Sequence, residues 1–187
     1  MHYLVQPTTI RTAIDNWRTA QTLWLDTEVA DWRTPNPKLS LIQVLTNPGD
    51  RTGKDSYILD VLGQPGLIHY FIQNIMRDRA IEKVFHNASY DLRYLGKDQA
   101  TNITCTLKLA RRIGKQRLGT SDLKLKTLAT ELCQFNDVDA SEQSSDWGQR
   151  ALTTKQLYYA GMDVIYLAAV HQSLLSVSRP AQSWRSF

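Results

Sequence analysis

The sequence predicts an α/β domain in which a mixed β-sheet is flanked by helices. Short apolar runs at Leu23–Val29, Lys38–Leu45 and Tyr57–Leu59 are joined by connections too short for crossovers, which implies an antiparallel meander. Beyond the meander the chain alternates, with Ile81–Phe85 patterned as a strand between helical segments. Strands first and strand–helix units afterwards imply one mixed sheet with helices packed against it. The third observation is compositional. A chain of 187 residues, 42% hydrophobic and 21% charged, has the make-up of one globular domain with a proper core.

Taken in order, Tyr3–Val5 reads as a short extended piece. Thr8 or Thr9 can cap a helix through Ile10, Ala13, Ile14 and Trp17, an apolar face at helical spacing. After the strand at Leu23–Val29, Trp32–Pro37 is a turn-rich loop. In Lys38–Leu45, alternation puts Leu39, Leu41, Gln43 and Leu45 on one face and Ile42 and Val44 on the other. Asn47-Pro48-Gly49-Asp50 is a turn signal. Gly49–Asp55 resembles a phosphate-binding loop, but it is one residue short between its glycines and has Asp55 where a hydroxyl is needed, so it is read as a hairpin loop. Helices are expected at Leu67–Met76, Asn87–Leu95, Thr106–Ile113, Leu123–Leu132 and Thr153–Leu175, with Ile103 marking a fourth crossing. Asp139–Gln149 reads as irregular. No repeat or linker divides the chain, so 1–187 is expected to be a single domain with its core at about 22–175 and a flexible tail at 176–187.

Nothing in the chain approaches the ~20 consecutive apolar residues of a membrane helix, and the N-terminus lacks the layout of a signal peptide. Cys105 and Cys133 make no disulfide framework, which favours a reducing, cytoplasmic setting. The net charge of +4 matters only if it clusters.

The chemistry begins at Leu23-Trp24-Leu25-Asp26-Thr27-Glu28-Val29. With a side-chain period of two, Asp26 and Glu28 point to the same face of the sheet. Like charges on one face of a central strand repel and are costly to desolvate, unless a multivalent cation lies between them. The alternative is a strand whose acids reach solvent at a sheet edge. Two helix starts bear on the choice. Asn87 and Asp91, at i and i+4, would share a helix face directly after a strand. The last helix opens on a capping box, Thr153-Thr154-Lys155-Gln156, and carries Tyr159 and Asp163, again at i and i+4. Taken singly, Asp91 also fits an acid favouring a helix N-terminus, and Asp163 a boundary acid.

In this order the set Asp-x-Glu, Asn-x-x-x-Asp, Tyr-x-x-x-Asp resembles the 3′→5′ exonucleases with four acids and a tyrosine, the DEDDy class, especially ribonuclease D and the Werner-type exonuclease domain. Leu41-Ile42-Gln43, Val84-Phe85-His86-Asn87, Leu125-Lys126-Thr127-Leu128 and Ser145-Asp146-Trp147 also match that pattern. The resemblance runs from about Thr22 to Leu175. Three positions depart from it: Cys105 stands before Thr106, Ala140 near a usual lysine, and Ala151 in place of a usual proline. None of the three is a metal ligand in the family, so the departures bear on substrate handling.

The resemblance implies a ribonuclease H-like domain and a catalytic domain alone, without the RNA-binding domains that follow the nuclease in ribonuclease D. It implies hydrolysis that releases nucleoside 5′-monophosphates, with two divalent ions, Mg²⁺ or Mn²⁺, as cofactors. Asp26 would bridge the two ions. Glu28 and Asp163 would bind the water-activating one, and Asp91 the other, mainly through waters. Tyr159 would orient the attacking water. Asn87 is expected to touch substrate or support the ligands, and His86 to pack. The implied partner is single-stranded nucleic acid with a free 3′ end, RNA in preference to DNA. Lys108, Arg111, Arg112, Lys115 and Arg117, with Lys124 and Lys126 after them, read either as a solvated helix face or as contacts to its phosphates. Trp147, Tyr90 or Trp32 could stack on bases. Two rival readings remain, a binding-only relative and a phosphodiesterase for very short oligonucleotides.

Overall fold

In the computed structural model, which describes residues 1–178, six strands form one mixed sheet in the order β1-β4-β3-β2-β5-β6. They are β1 (His2–Leu4), β2 (Thr22–Ala30), β3 (Lys38–Leu45), β4 (Ser56–Asp60), β5 (Glu82–Phe85) and β6 (Ile103–Cys105). The meander β2-β3-β4 is antiparallel, as its short connections dictate. β1 adds to β4, and β5 and β6 extend the sheet beyond β2, all in parallel. The acid-bearing β2 is therefore an interior strand with a neighbour on each side. Asp26 and Glu28 are not edge residues.

Alternation along β2 sorts the two layers. Leu23 and Leu25 face α1 (Pro7–Trp17) and α2 (Pro65–Phe71), whose last turns widen into a π-type segment at Ile72–Met76. Trp24 faces the other way, against α6 (Thr154–Ser178). Asp26 and Glu28 share the parity of Trp24, so they too face α6. The remaining helices of that layer are α3 (Thr106–Ile113), α4 (Lys115–Leu118) and α5 (Leu125–Thr127), the last continued by a π-type segment at Leu128–Leu132. α6 is long and apolar enough to cross a membrane, but 67% of its most apolar window is buried inside this fold. Gly161 lets it lie close to the sheet, since a Cβ there would stand 3.1 Å from Ser56 Oγ on β4. Trp24 Nε1 donates to His171 Nδ1 at 3.3 Å and ties the far end of the same helix to β2.

Three expectations are corrected. α1 begins at Pro7, and its N-cap residue Gln6 makes no side-chain cap, so neither Thr8 nor Thr9 caps it. Proline suits the first helical position because its missing N–H would be unpaired there anyway. Leu39 lies on the α1 face with Ile42 and Val44, because a bulge opposite Glu28/Val29 inserts Ser40 as an extra residue and flips the alternation. Asn87–Leu95 is not an α-helix. Asn87 is left-handed (φ +63°), and only a short 3₁₀ turn forms at Asp91–Arg93. The tail expected at 176–187 lies outside the described residues from 179 onward, while Ser176–Ser178 belong to α6. The expected capping box does form. Gln156 N donates to Thr153 Oγ1 at 3.1 Å, and Thr153 N to Gln156 Oε1 at 2.9 Å.

Candidate active site

Asp26 and Glu28 on β2 meet Asp163 on α6, and one ligand oxygen from each lies within 4.8 Å of the others. They line an open cleft of about 1130 Å³ with Asp91, Asn87, Tyr159 and His86. Asp91 stands outside the tight trio. It reaches the cleft from the turn after β5, held by Thr27 Oγ1, which donates to its Oδ1 at 2.7 Å. Thr27 thus does what a helix was expected to do: it fixes Asp91 beside the strand that carries the other acids.

Electrostatics mark these groups out. Burial pushes the Asp26 carboxyl up to about 6, opposed by the positive charge of Lys126. Glu28 and Asp91 are raised well above the usual carboxylate range, first by burial and then by the charge of Asp26. Burial, with the charges of Glu28 and Asp26, raises Tyr159 strongly, so at neutral pH its hydroxyl keeps its proton and is a donor. Lys126 is the cation against this set. Its ammonium pairs with Asp163 and lies 4.1 Å from the Tyr159 ring centroid. Burial lowers it to about 8, against the charges of Asp26 and Glu28.

His86, expected to pack, is half-buried at the cleft wall. Its Nδ1 and Thr106 Oγ1 are 2.8 Å apart, and burial lowers it to about 4. Of the basic run and the two lysines after it, Arg111, Lys124 and Lys126 line the cleft, whereas Lys108, Arg112, Lys115 and Arg117 do not. Lys115 and Arg117 donate to the carbonyls of Ser121 and Val177. Among the three stacking candidates, Trp147 is 1% exposed and packs on Tyr159, with ring centroids 6.0 Å apart. Trp32 (46%) and Tyr90 (38%) line the cleft with exposed rings.

Two features escaped the sequence reading. One is Lys126, grouped there with the basic run. The other is a clamp that seats the loop before α6. Arg150 donates through Nη2 to Asp60 Oδ1 (2.8 Å) and Ser40 Oγ (2.9 Å), and through Nη1 to the Trp147 carbonyl (3.0 Å). Tyr3 Oη donates to Asp60 Oδ2 at 2.5 Å, and Ser40 Oγ to the Trp147 carbonyl at 2.6 Å. The bulge at Ser40 aims its hydroxyl at the loop and so presses Trp147 against Tyr159.

A family model described as 3'-5' exonuclease matches residues 1–178. Ribonuclease D of Desulfotalea psychrophila is 32% identical over 163 residues, which is 86% of this chain and 41% of that protein. Escherichia coli RNase D superposes with a TM-score of 0.74 at 26% identity, over 95% of this chain and 45% of that one. Brucella melitensis NrnC bound to pGG superposes at 0.68 and 25%, over 94% of this chain and 78% of that one. The chain spans less than half the length of the ribonuclease D proteins it matches. These superpositions agree with the mixed-sheet α/β architecture expected from the sequence.

Proposed function

This chain belongs to the 3′-5′ exonuclease family, in its ribonuclease D-like, DEDDy-type group, and on that premise we propose that it removes nucleotides from the 3′ end of single-stranded nucleic acid, RNA in preference to DNA, releasing nucleoside 5′-monophosphates. The preference for RNA rests on the ribonuclease D likeness. The observation that carries the proposal is the convergence of Asp26, Glu28 and Asp163 in an open cleft.

The residues fit a pair of hard divalent cations. They offer only oxygen donors, as Mg²⁺ and Mn²⁺ prefer, and burial leaves them short of positive charge. Asp26, Glu28 and Asp163 would hold one ion, and Asp26 with Asp91 a second. When bound, such ions stabilise charge on the attacking and leaving oxygens of an in-line displacement. The protein's own groups do the rest. Tyr159 presents a protonated hydroxyl to orient the attacking water, one helical turn before Asp163. Thr27 keeps one oxygen of Asp91 occupied and leaves the other for a ligand. Trp32 and Tyr90 offer ring faces for terminal bases, and Arg111 a charge for the backbone.

A second reading, hydrolysis of very short oligonucleotides, is favoured by the likeness to NrnC, which has been seen bound to pGG. The test is digestion of a long labelled RNA, the matched DNA and a dinucleotide, with Mn²⁺ and after chelation. Stepwise shortening of the RNA from its 3′ end supports the first reading. Turnover of the dinucleotide alone replaces it with the second. No metal-dependent turnover of any of the three overturns both.

A further inference from the structure

Lys126 behaves unlike the other basic residues of its segment. Lys124, two positions earlier, is 83% exposed at its side chain and pairs with Asp122. Lys126 is 19% exposed and turns inward to Asp163. Its ammonium lies 4.1 Å from the Tyr159 ring centroid and 4.8 Å from that of Tyr166. Tyr159, Asp163 and Tyr166 stand at i, i+4 and i+7 of α6, so one helix face builds an aromatic and anionic seat for a single cation. Asp26 and Glu28 complete the acid group, and among the described residues neither forms a salt bridge of its own.

We propose that Lys126 is the built-in counter-cation of this site: it offsets the carboxylate charge in the metal-free protein and must leave Asp163 before that residue can hold a divalent ion. The inference rests on the reading that Asp26, Glu28 and Asp163 bind metal. Three close carboxylates without any cation would strain the metal-free fold, and one ammonium relieves part of that repulsion. A divalent ion brings more charge to the same oxygens. The two cations compete, so Lys126 stabilises the empty site and weakens metal binding by the same linkage. A lysine suits this because its compact charge rides on a flexible stem and can swing aside, where a forked guanidinium would be held.

The experiment compares wild type, Lys126→Met and Lys124→Met, without nucleic acid, by calorimetric titration with Mn²⁺ and by thermal melting with and without Mn²⁺. Lys124→Met removes the same formal charge from the same segment, so it controls for net charge. Lys126→Met is expected to bind Mn²⁺ about tenfold more tightly, equivalent to about 1.4 kcal/mol. It should also melt lower than wild type when metal-free, and the gap should close at saturating Mn²⁺. Lys124→Met should change affinity by less than about twofold, as an exposed and screened charge does. A packing role for Lys126 would lower both melting curves and leave Mn²⁺ affinity alone. That result, or an equal tightening in Lys124→Met, overturns the proposal. If wild type itself binds no Mn²⁺, the metal reading fails first, which is a different result from an unchanged variant. A Lys126→Met protein that folds only with Mn²⁺ supports the proposal. If it folds in neither state, Lys126→Gln takes its place in the same titration, where unchanged affinity overturns the proposal.

Discussion

Two ion pairs bear on Tyr159, Lys126–Asp163 directly and Arg150–Asp60 through Trp147, and they are built on opposite plans. In the clamp, Arg150 and Asp60 meet through two hydrogen bonds, and the remaining groups are satisfied by Tyr3, Ser40, the Trp147 carbonyl and Leu62 N–H. Those bonds hold the Asp60 carboxyl below its usual range although burial pushes it up. In the site, Lys126 faces Asp163 with Asp26 and Glu28 crowded behind, and burial drives the carboxyls up. A pair with every lone pair answered serves the fold. A cluster with more negative charge than it can answer serves a ligand, and the protein tolerates the imbalance because the clamp and the sheet hold it.

If that contrast is right, substitutions in the site should cost turnover and those in the clamp should cost stability. The largest effect is expected from Asp26→Asn, which takes away an oxygen shared by both proposed ions. Metal-supported turnover should vanish, as it should for wild type in EDTA until Mg²⁺ or Mn²⁺ is restored, while the metal-free melting temperature rises because one repelling charge is gone. Nuclease assay beside thermal melting checks both signs. A variant that loses activity and also melts lower would make Asp26 a structural acid.

Next comes Tyr159→Phe. The change deletes a hydroxyl but no charge and little volume, and Trp147 still packs on the ring. Groups that position or move a proton in the transition state contribute ~10²–10⁴-fold. The loss should appear in kcat with KM little changed, measured by single-turnover cleavage at saturating enzyme and metal. Wild-type rates would remove Tyr159 from the mechanism.

The clamp gives the converse. Arg150→Met leaves Asp60 with Tyr3 and Leu62 alone and strips donors from Ser40 and the Trp147 carbonyl. Breaking a buried pair costs about 3–5 kcal/mol. Here about 2–4 kcal/mol is expected, because part of Arg150 meets solvent, which screens the pair. Urea denaturation measures the loss, and Mn²⁺ affinity should stay where it was. Replacing both partners, Arg150→Met with Asp60→Leu, should recover part of the loss. If it recovers none, the pair does more than hold the loop.

How far the sequence disclosed this arrangement depended on how local each signal was. Asp26 and Glu28 were legible because a strand repeats every two residues, and Tyr159 and Asp163 because α6 announces itself with a capping box. The same i, i+4 spacing misled at Asn87 and Asp91. One left-handed residue breaks the helix, and a threonine on another element does the positioning instead. Alternation failed at Leu39 for a comparable reason, since nothing in the run marks Ser40 as an inserted residue. The clamp joins Tyr3, Asp60 and Arg150 from segments 57 and 90 residues apart, beyond any periodic reading. Lys126 left one faint signal: Leu125 and Leu128 turn its helix toward the core, while Lys124 keeps to solvent.

The smallest expected effect, and the sharpest in sign, is the response of metal-free stability to pH. Asp60 has a folded pKa below its ordinary value of 3.8, so the clamp contributes fully above about 4 and is lost as pH falls through the folded value. Asp26 runs the other way. Its folded pKa is about 6, so between about 6 and 4 the native protein takes up a proton that the unfolded chain does not, and stability rises on acidification. His86 and His171, both lowered by burial, oppose that rise in the same window, because the unfolded chain protonates them first. The site's share is therefore read as the difference between wild type and Asp26→Asn, not from wild type alone. In metal-free buffer the gap between the two melting temperatures should narrow from pH 7 to pH 5, as wild type sheds the charge that the variant never had. Saturating Mn²⁺ should remove the narrowing, since the ion already answers that charge. A gap that stays constant across this window would mean that Asp26 is not held in an unanswered charge, and the contrast between site and clamp would fail at its anionic end.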